Sequence, residues 1–292
     1  MAVTFGSTML AQYRRFSLYN SPYVSHRGGC AIDLYPDSQT AAPSPVAGDV
    51  LETRTVDAPP KPYAVDHDHL IVLDAGEDVA RVLHVNPAVE PGDAVDVGDS
   101  LGRMVRSGFF APWVDNHLHL GFREHGTDYR RASGSLPIRV DVPVEPLSWD
   151  GTGTVVETDD TYAVLDSPTH PDPGKRFAGV AAGLIGSRDR RAVLDGGLPH
   201  YDGGGLLAAD GSAPAVATET DVTLAGHRVG TVAGDGRTVE WADATVLAND
   251  REITGLSLFC ARDAAFGAKL VCPDVDFAVG EDVTVTVERS VR

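Results

Sequence analysis

The near absence of helical periodicity constrains this 292-residue chain more than any other feature. Apolar residues do not recur at three- and four-residue intervals. Short β-branched runs ended by Gly, Pro or Asp take their place: VAGDVLETRTV, HLIVLDAG, VARVLHV and NHLHLGF, then GTVVETDDTYAVLD, DVTLAGHRVGTVAG and DVTVTVERS. Runs of this length and spacing predict mostly antiparallel sheet, so the expected fold class is all-β. One helix-permissive stretch, near Ser7 to Arg15, is short. The Pro-bearing segment DVPVEPLSWDGTG separates a histidine-rich N-terminal portion from a histidine-poor C-terminal one. That places a domain boundary near Asp150, with residues 1–150 as one domain and residues 151–292 as a β-sandwich or β-barrel accessory domain.

Charge narrows the partners. The formal net charge is −18, and a surface this acidic repels phosphate backbones and anionic membranes. No basic patch offsets it, so neither nucleic acid nor a membrane is expected as a partner. Three lysines (Lys61, Lys175, Lys269) stand against 21 arginines, a balance that resembles proteins adapted to high intracellular salt. The N-terminus lacks a basic start followed by an apolar run, and no window approaches 18 consecutive apolar residues, so a cytoplasmic protein is expected. Cys30, Cys260 and Cys272 are too few and scattered for a thiolate zinc site and read as reduced thiols, with a Cys260–Cys272 bridge left open.

Seven of the ten histidines precede residue 126: His26, His67, His69, His84, His117, His119 and His125. In VDNHLHLGF, His117 and His119 have the spacing that puts two side chains on one face of a strand. His67-Asp68-His69 shows the same spacing and reads as a polar edge beside a loop. In SHRGGCAIDLYP, two glycines let the backbone turn between His26 and Asp33, so that the two converge on one ion. A catalytic zinc takes three N or O ligands and keeps one open position, which a His/Asp/His set provides. The stretch VEPGDAVDVGDSLG, Val89 to Gly102, reads as a hairpin pair with Gly92, Gly98 and Gly102 at tight turns.

The order of these pieces resembles a known family. H-x-x-G-x-A-x-D (His26, Gly29, Ala31, Asp33), SPVAGDV, an isolated His84 in RVLHV, VEPGDAVDVGDSLG and HLHLGF together look like lysostaphin-type (LytM-like) zinc metallopeptidases, over about residues 24 to 125. The same sheet pattern, a duplicated hybrid motif or barrel-sandwich hybrid, also occurs in lipoyl and biotinyl carrier domains. Those need a modifiable lysine where this chain has Arg103, Met104, Val105 and Arg106. Lysostaphin-type enzymes usually place three residues between the first histidine and the aspartate, and counting back four from Asp33 lands on Gly29, which cannot ligate. The six-residue gap instead resembles the first zinc motif of D-Ala-D-Ala carboxypeptidases, and a rebuilt loop is expected to bring His26 to the metal.

The resemblance implies His26, Asp33 and His119 as Zn2+ ligands, with His117 and His84 as catalytic residues flanking the attacking water and the oxyanion. Asp115 and Asn116 are candidate partners that fix a histidine tautomer. The implied activity is hydrolysis of a peptide amide, by an endopeptidase or amidase acting on a peptide or peptide-like substrate. The competing reading is a catalytically inactive hybrid-motif protein that serves as a binding or scaffolding module. His170 in SPTHPDPG and His200 before YDGGG read as loop residues, and YDGGG as a surface linker or a lid. Oligomeric state is not legible.

Overall fold

The computed structural model describes residues 2–186, 191–212 and 216–289. Strand accounts for 48% of it and helix for 3%, so the fold is all-β. Among the described residues no helix is long and apolar enough to cross a membrane. The chain forms two compact units, one of Met1–Phe16 and Gly29–Arg139, the other of Ser17–Gly28 and Val140–Arg292.

The first unit is built on an antiparallel sheet. Its strands run in the spatial order Gly48–Asp57, His67–Asp74, Val79–Leu83, Leu118–Arg123, Ala31–Pro36. Alternation sorts the residues of each strand between two faces. Ile32, Leu34, Ala80, Val82, Leu118 and Leu120 are each 0% exposed and form the apolar side. Phe122 joins them at an edge-to-face 6.2 Å from Phe5. Burying a side chain of the Leu or Ile class stabilises by about 1.5–3 kcal/mol, so this face alone gives the sheet a strong directional preference. The opposite face carries Asp33, His119, Gly121, Arg123, Arg81 and Leu83 by register. That polar row is what the fold displays.

Two local expectations are corrected here. The stretch from Val89 to Gly102 does not pair with itself as a hairpin. Ala94–Val95 joins the long strand Gly48–Asp57, whereas Ser100–Met104 joins a separate three-stranded sheet between Ala41–Pro43 and Val85–Pro87. Gly98 (φ 95°) makes the crossing, and Gly102 (φ 139°) lies so close to the neighbouring strand that a Cβ there would sit 2.1 Å from the Asn86 carbonyl oxygen. The helix-permissive stretch yields only Ser7–Leu10 before the strand Tyr13–Ser17 begins, and a second four-residue helix, Val24–Arg27, carries His26.

In the second unit six strands close on themselves as a barrel, which decides between sandwich and barrel. Around the ring they are Phe177–Leu184, Ala192–Leu198, Gly204–Ala208, Thr238–Trp241, His227–Val232 and Asp221–Leu224, and the last pairs back to the first. Further strands extend from the ring through Gly255–Leu258 and Lys269–Val271. The terminal strand Asp282–Arg289 buries Val283, Val285 and Val287 and exposes the residues between them far more. Cys260 and Cys272 are buried, Cys30 is half-buried, and none of the three is in a disulfide. Burial pushes the Cys272 thiol up to about 11.

YDGGG is neither linker nor lid, because Gly204 opens a barrel strand. A Cβ on Gly204 would lie 2.2 Å from the Trp241 ring, and one on Gly205 would lie 2.3 Å from the Tyr19 ring, so these glycines serve close packing. His170 is buried, accepts the Asp172 amide at Nδ1 (3.1 Å) and donates from Nε2 to the Arg176 carbonyl (3.1 Å), which ties down the proline-rich loop.

His200 packs 4.5 Å from the Tyr201 ring, and burial pulls its imidazole down to about 4. A histidine depressed in the folded state binds fewer protons there than in the unfolded chain, so the stability it confers is present above its ordinary value near 6.5 and is lost as pH falls toward 4. Resistance of the native protein to urea unfolding is therefore expected to decline from pH 6.5 to 4, with a shallower decline in His200→Gln. Equal declines would exclude this contribution.

Candidate metal centre

Asp33 and His119 are direct cross-strand partners. Side chains directly opposite one another stand close enough to share a ligand, and His119 Nδ1 lies 3.0 Å from Asp33 Oδ1. His117, one residue before the strand begins, brings Nε2 to 3.4 Å from the same oxygen. Its Nδ1–H donates to the Asp115 carbonyl at 2.9 Å, which leaves a lone pair on Nε2. Burial pulls this imidazole down to about 4 against the opposing pull of Asp33, so the ring is neutral at pH 7. A lone pair then faces a carboxylate oxygen, an arrangement that a cation or a bound water relieves.

His26 is fully buried on the helix Val24–Arg27. The chain leaves that helix through Gly28 and a left-handed Gly29 (φ 60°) before entering the strand Ala31–Pro36. Gly29 thus supplies the backbone turn. His26 Nδ1–H donates to the Leu18 carbonyl at 2.7 Å, which makes Nε2 the ring nitrogen that carries the lone pair. Among the described residues, His26, Asp33 and His119 form a group whose potential ligand atoms all lie within 4.8 Å of one another. Two imidazoles and one carboxylate, with His26 and Asp33 buried and His119 half-buried, match the donor set of a catalytic zinc.

His84 follows the strand Val79–Leu83 with φ 70°, an uncommon conformation for a residue with a side chain, of the kind that collects at functional sites. Its ring stands 5.3 Å from that of His117 and 5.9 Å from that of His119. Phe110 packs 4.6 Å from His84 and 4.3 Å from His117, and Tyr35 packs 5.0 Å from His117. These aromatic rings lower the local polarity in which the three imidazoles act.

The main surprise is Asp68. The expected polar edge is instead a 0% exposed carboxylate. It accepts from His84 Nδ1 at 2.5 Å, Ser107 Oγ at 2.6 Å, the His69 amide at 2.7 Å and the His84 amide at 3.0 Å. Burial alone would raise this carboxyl, but the His84 charge and these donors outweigh it and hold the group at about 2. One signal pointed here: Asp68 is in phase with Leu70 and Val72, both buried, on its strand. Asp115 and Asn116 do not fix a tautomer with their side chains. Asp115 ion-pairs with Arg15, its backbone carbonyl holding His117, and Asn116 reaches the Gln39 carbonyl at 3.2 Å. His67 and His125 are exposed.

Residues 4–140 match the family model described as the N-terminal domain of DUF8155, a domain of unknown function, and residues 145–288 match the model of its C-terminal domain. No curated protein matches the chain. Among solved structures, similarity extends to the antimicrobial peptidase lysostaphin from Staphylococcus simulans, with 14% identity over 82% of this chain and 91% of that one and a TM-score of 0.27. It extends also to LytU, with 21% identity over 37% of this chain and 68% of that one and a TM-score of 0.28. A third is cbpa from L. salivarius REN, with 15% identity, 34% of this chain and a TM-score of 0.23; the chain spans 61% of its length.

Proposed function

The chain belongs to the DUF8155 family, and for it we propose a zinc-dependent metallopeptidase, acting as endopeptidase or amidase on peptide or peptide-like substrates. The observation that carries this reading is the convergence of His26, Asp33 and His119, whose ligand atoms lie within 4.8 Å of one another. In it, residues 1–150 carry the reaction and residues 151–292 serve an accessory role.

His26, Asp33 and His119 would hold the zinc, which would supply Lewis acidity at the scissile amide. His117 Nε2, unprotonated and beside Asp33, accepts the proton of the attacking water and returns it to the leaving amine. His84, anchored at Nδ1 by the Asp68 carboxylate, stabilises the oxyanion. Asp68 acts through His84 by accepting the Nδ1–H hydrogen bond, and Ser107 steadies Asp68 by donating to it. Phe110 and Tyr35 exclude water from around the rings.

Elemental analysis of protein purified without chelators tests the reading before any substrate is chosen. The expected result is about one zinc per chain for a three-ligand site of this kind, removable by chelator, with cleavage of oligoglycine or alanine-containing peptides that follows the metal. No metal uptake under saturating zinc overturns the reading in favour of a scaffold.

A further inference from the structure

On the face that displays Asp33 and His119, the next row of the sheet holds Val72, Arg81, Gly121 and Ala31 side by side. Arg81 is therefore a diagonal neighbour of His119, about 7–8 Å away between backbones. Arg81 is 7% exposed, and among the described residues it makes no hydrogen bond and no ion pair; its Nε is buried without a partner.

Arg123 is the instructive contrast. It lies on the same face and donates to Ser135 Oγ and to the carbonyls of Arg131 (3.1 Å) and Ala132 (3.3 Å), tethering the connection that follows its strand. Arg81 tethers nothing. Around it stand Leu70, Val72, Val79 and the half-buried Leu83 and Tyr129, an apolar setting that disfavours a charged group without a partner. Burial and the like charge of Arg123 pull Arg81 down to about 10 against Asp128, which still leaves it fully charged at neutral pH. Gly121, directly opposite, carries no side chain, and Ser135 packs over it, its Oγ 3.3 Å from where a Cβ would stand.

Resting on the peptidase reading above, we propose that Arg81 receives the terminal carboxylate of a peptide substrate, so that the bond hydrolysed is the last amide of the chain. One residue of extended peptide spans about 3.3–3.6 Å, and the arginine stem covers the rest of the distance from the His119 row. A guanidinium fork pairs with a carboxylate through two parallel hydrogen bonds, which a lysine or a neutral group does not reproduce. The reaction is a balanced hydrolysis. Water adds across the C–N bond, its oxygen stays on the carbonyl carbon, and a proton goes to the departing nitrogen, which releases one free amino acid and a shortened peptide.

The test is equilibrium binding of N-acetyl-dialanine and of its C-terminal amide to the protein as purified, followed by calorimetry or NMR titration. The native protein is expected to prefer the free acid by about tenfold or more, the range of a charge-assisted hydrogen bond. Arg81→Gln is expected to bind both alike, and Arg81→Lys to fall between. Equal binding of acid and amide by the native protein overturns the proposal without reference to any variant, and so does a preference that persists in Arg81→Gln. With zinc bound, equal cleavage of free and amidated peptides sinks the carboxylate subsite and leaves the peptidase standing. A preserved tenfold binding preference with neither zinc uptake nor cleavage sinks the peptidase and leaves an anion site at Arg81.

Discussion

His119→Ala is expected to release zinc and abolish hydrolysis together, whereas His117→Ala keeps its zinc and loses about 10²- to 10⁴-fold in rate, the usual contribution of a general acid–base group. The two residues differ by only two positions and approach the same oxygen, with His119 Nδ1 at 3.0 Å and His117 Nε2 at 3.4 Å from Asp33 Oδ1. Their surroundings separate them. His119 stands opposite Asp33 in the sheet and belongs to the group of three ligand candidates. His117 is held by the Asp115 carbonyl, flanked by Phe110 and Tyr35, and kept neutral by burial. Metal content and peptide turnover measured on the same preparations check both halves. Stoichiometric zinc in purified His119→Ala contradicts the ligand assignment, and loss of zinc from His117→Ala contradicts the division of labour.

The second large effect is expected at Asp68. Asp68→Asn leaves zinc bound and lowers kcat by most of the about 10²- to 10³-fold that a single oxyanion donor supplies. KM is expected to move little, because Asp68 acts through His84 and touches no substrate. The amide of asparagine replaces an acceptor oxygen with a donor, so one of the His84 and Ser107 contacts at Asp68 Oδ2 is lost or inverted. A merely structural role would lower thermal stability and leave kcat unchanged. A positioning role lowers kcat at unchanged stability, and Ser107→Ala does so in smaller measure. An unchanged kcat with reduced stability would assign Asp68 to folding alone.

Much of this site is visible in the residue order, and what was hidden has physical reasons. The i, i+2 spacing of His117 and His119 is a local property of extended chain, and so is the alternation that buries Leu118 and Leu120. The reach of His26 is not local. It depends on a four-residue helix and on the left-handed Gly29, neither of which periodicity reports over so few residues. Asp68 was hidden by its neighbours: flanked by two histidines it looks like a hydrophilic edge, and only its phase with Leu70 and Val72 marks it as inward-facing. The pairing of Val89 to Gly102 was misjudged because alternation identifies a strand without naming its partner, and here the partners lie in two sheets. In YDGGG, glycine signals either loose chain or close approach, and the rings of Trp241 and Tyr19 show it to be the latter.

The cross-strand register of Asp33, His119 and Leu83 also limits how this protein can diverge. Neighbours along an extended strand look opposite ways, so gaining or losing a single codon within Leu118–Arg123 would swing His119 into the oily interior and push a leucine toward Asp33. Drift in length along this strand is thereby quantised in pairs, and most of a lineage's freedom to grow or shrink is confined to the connections between strands.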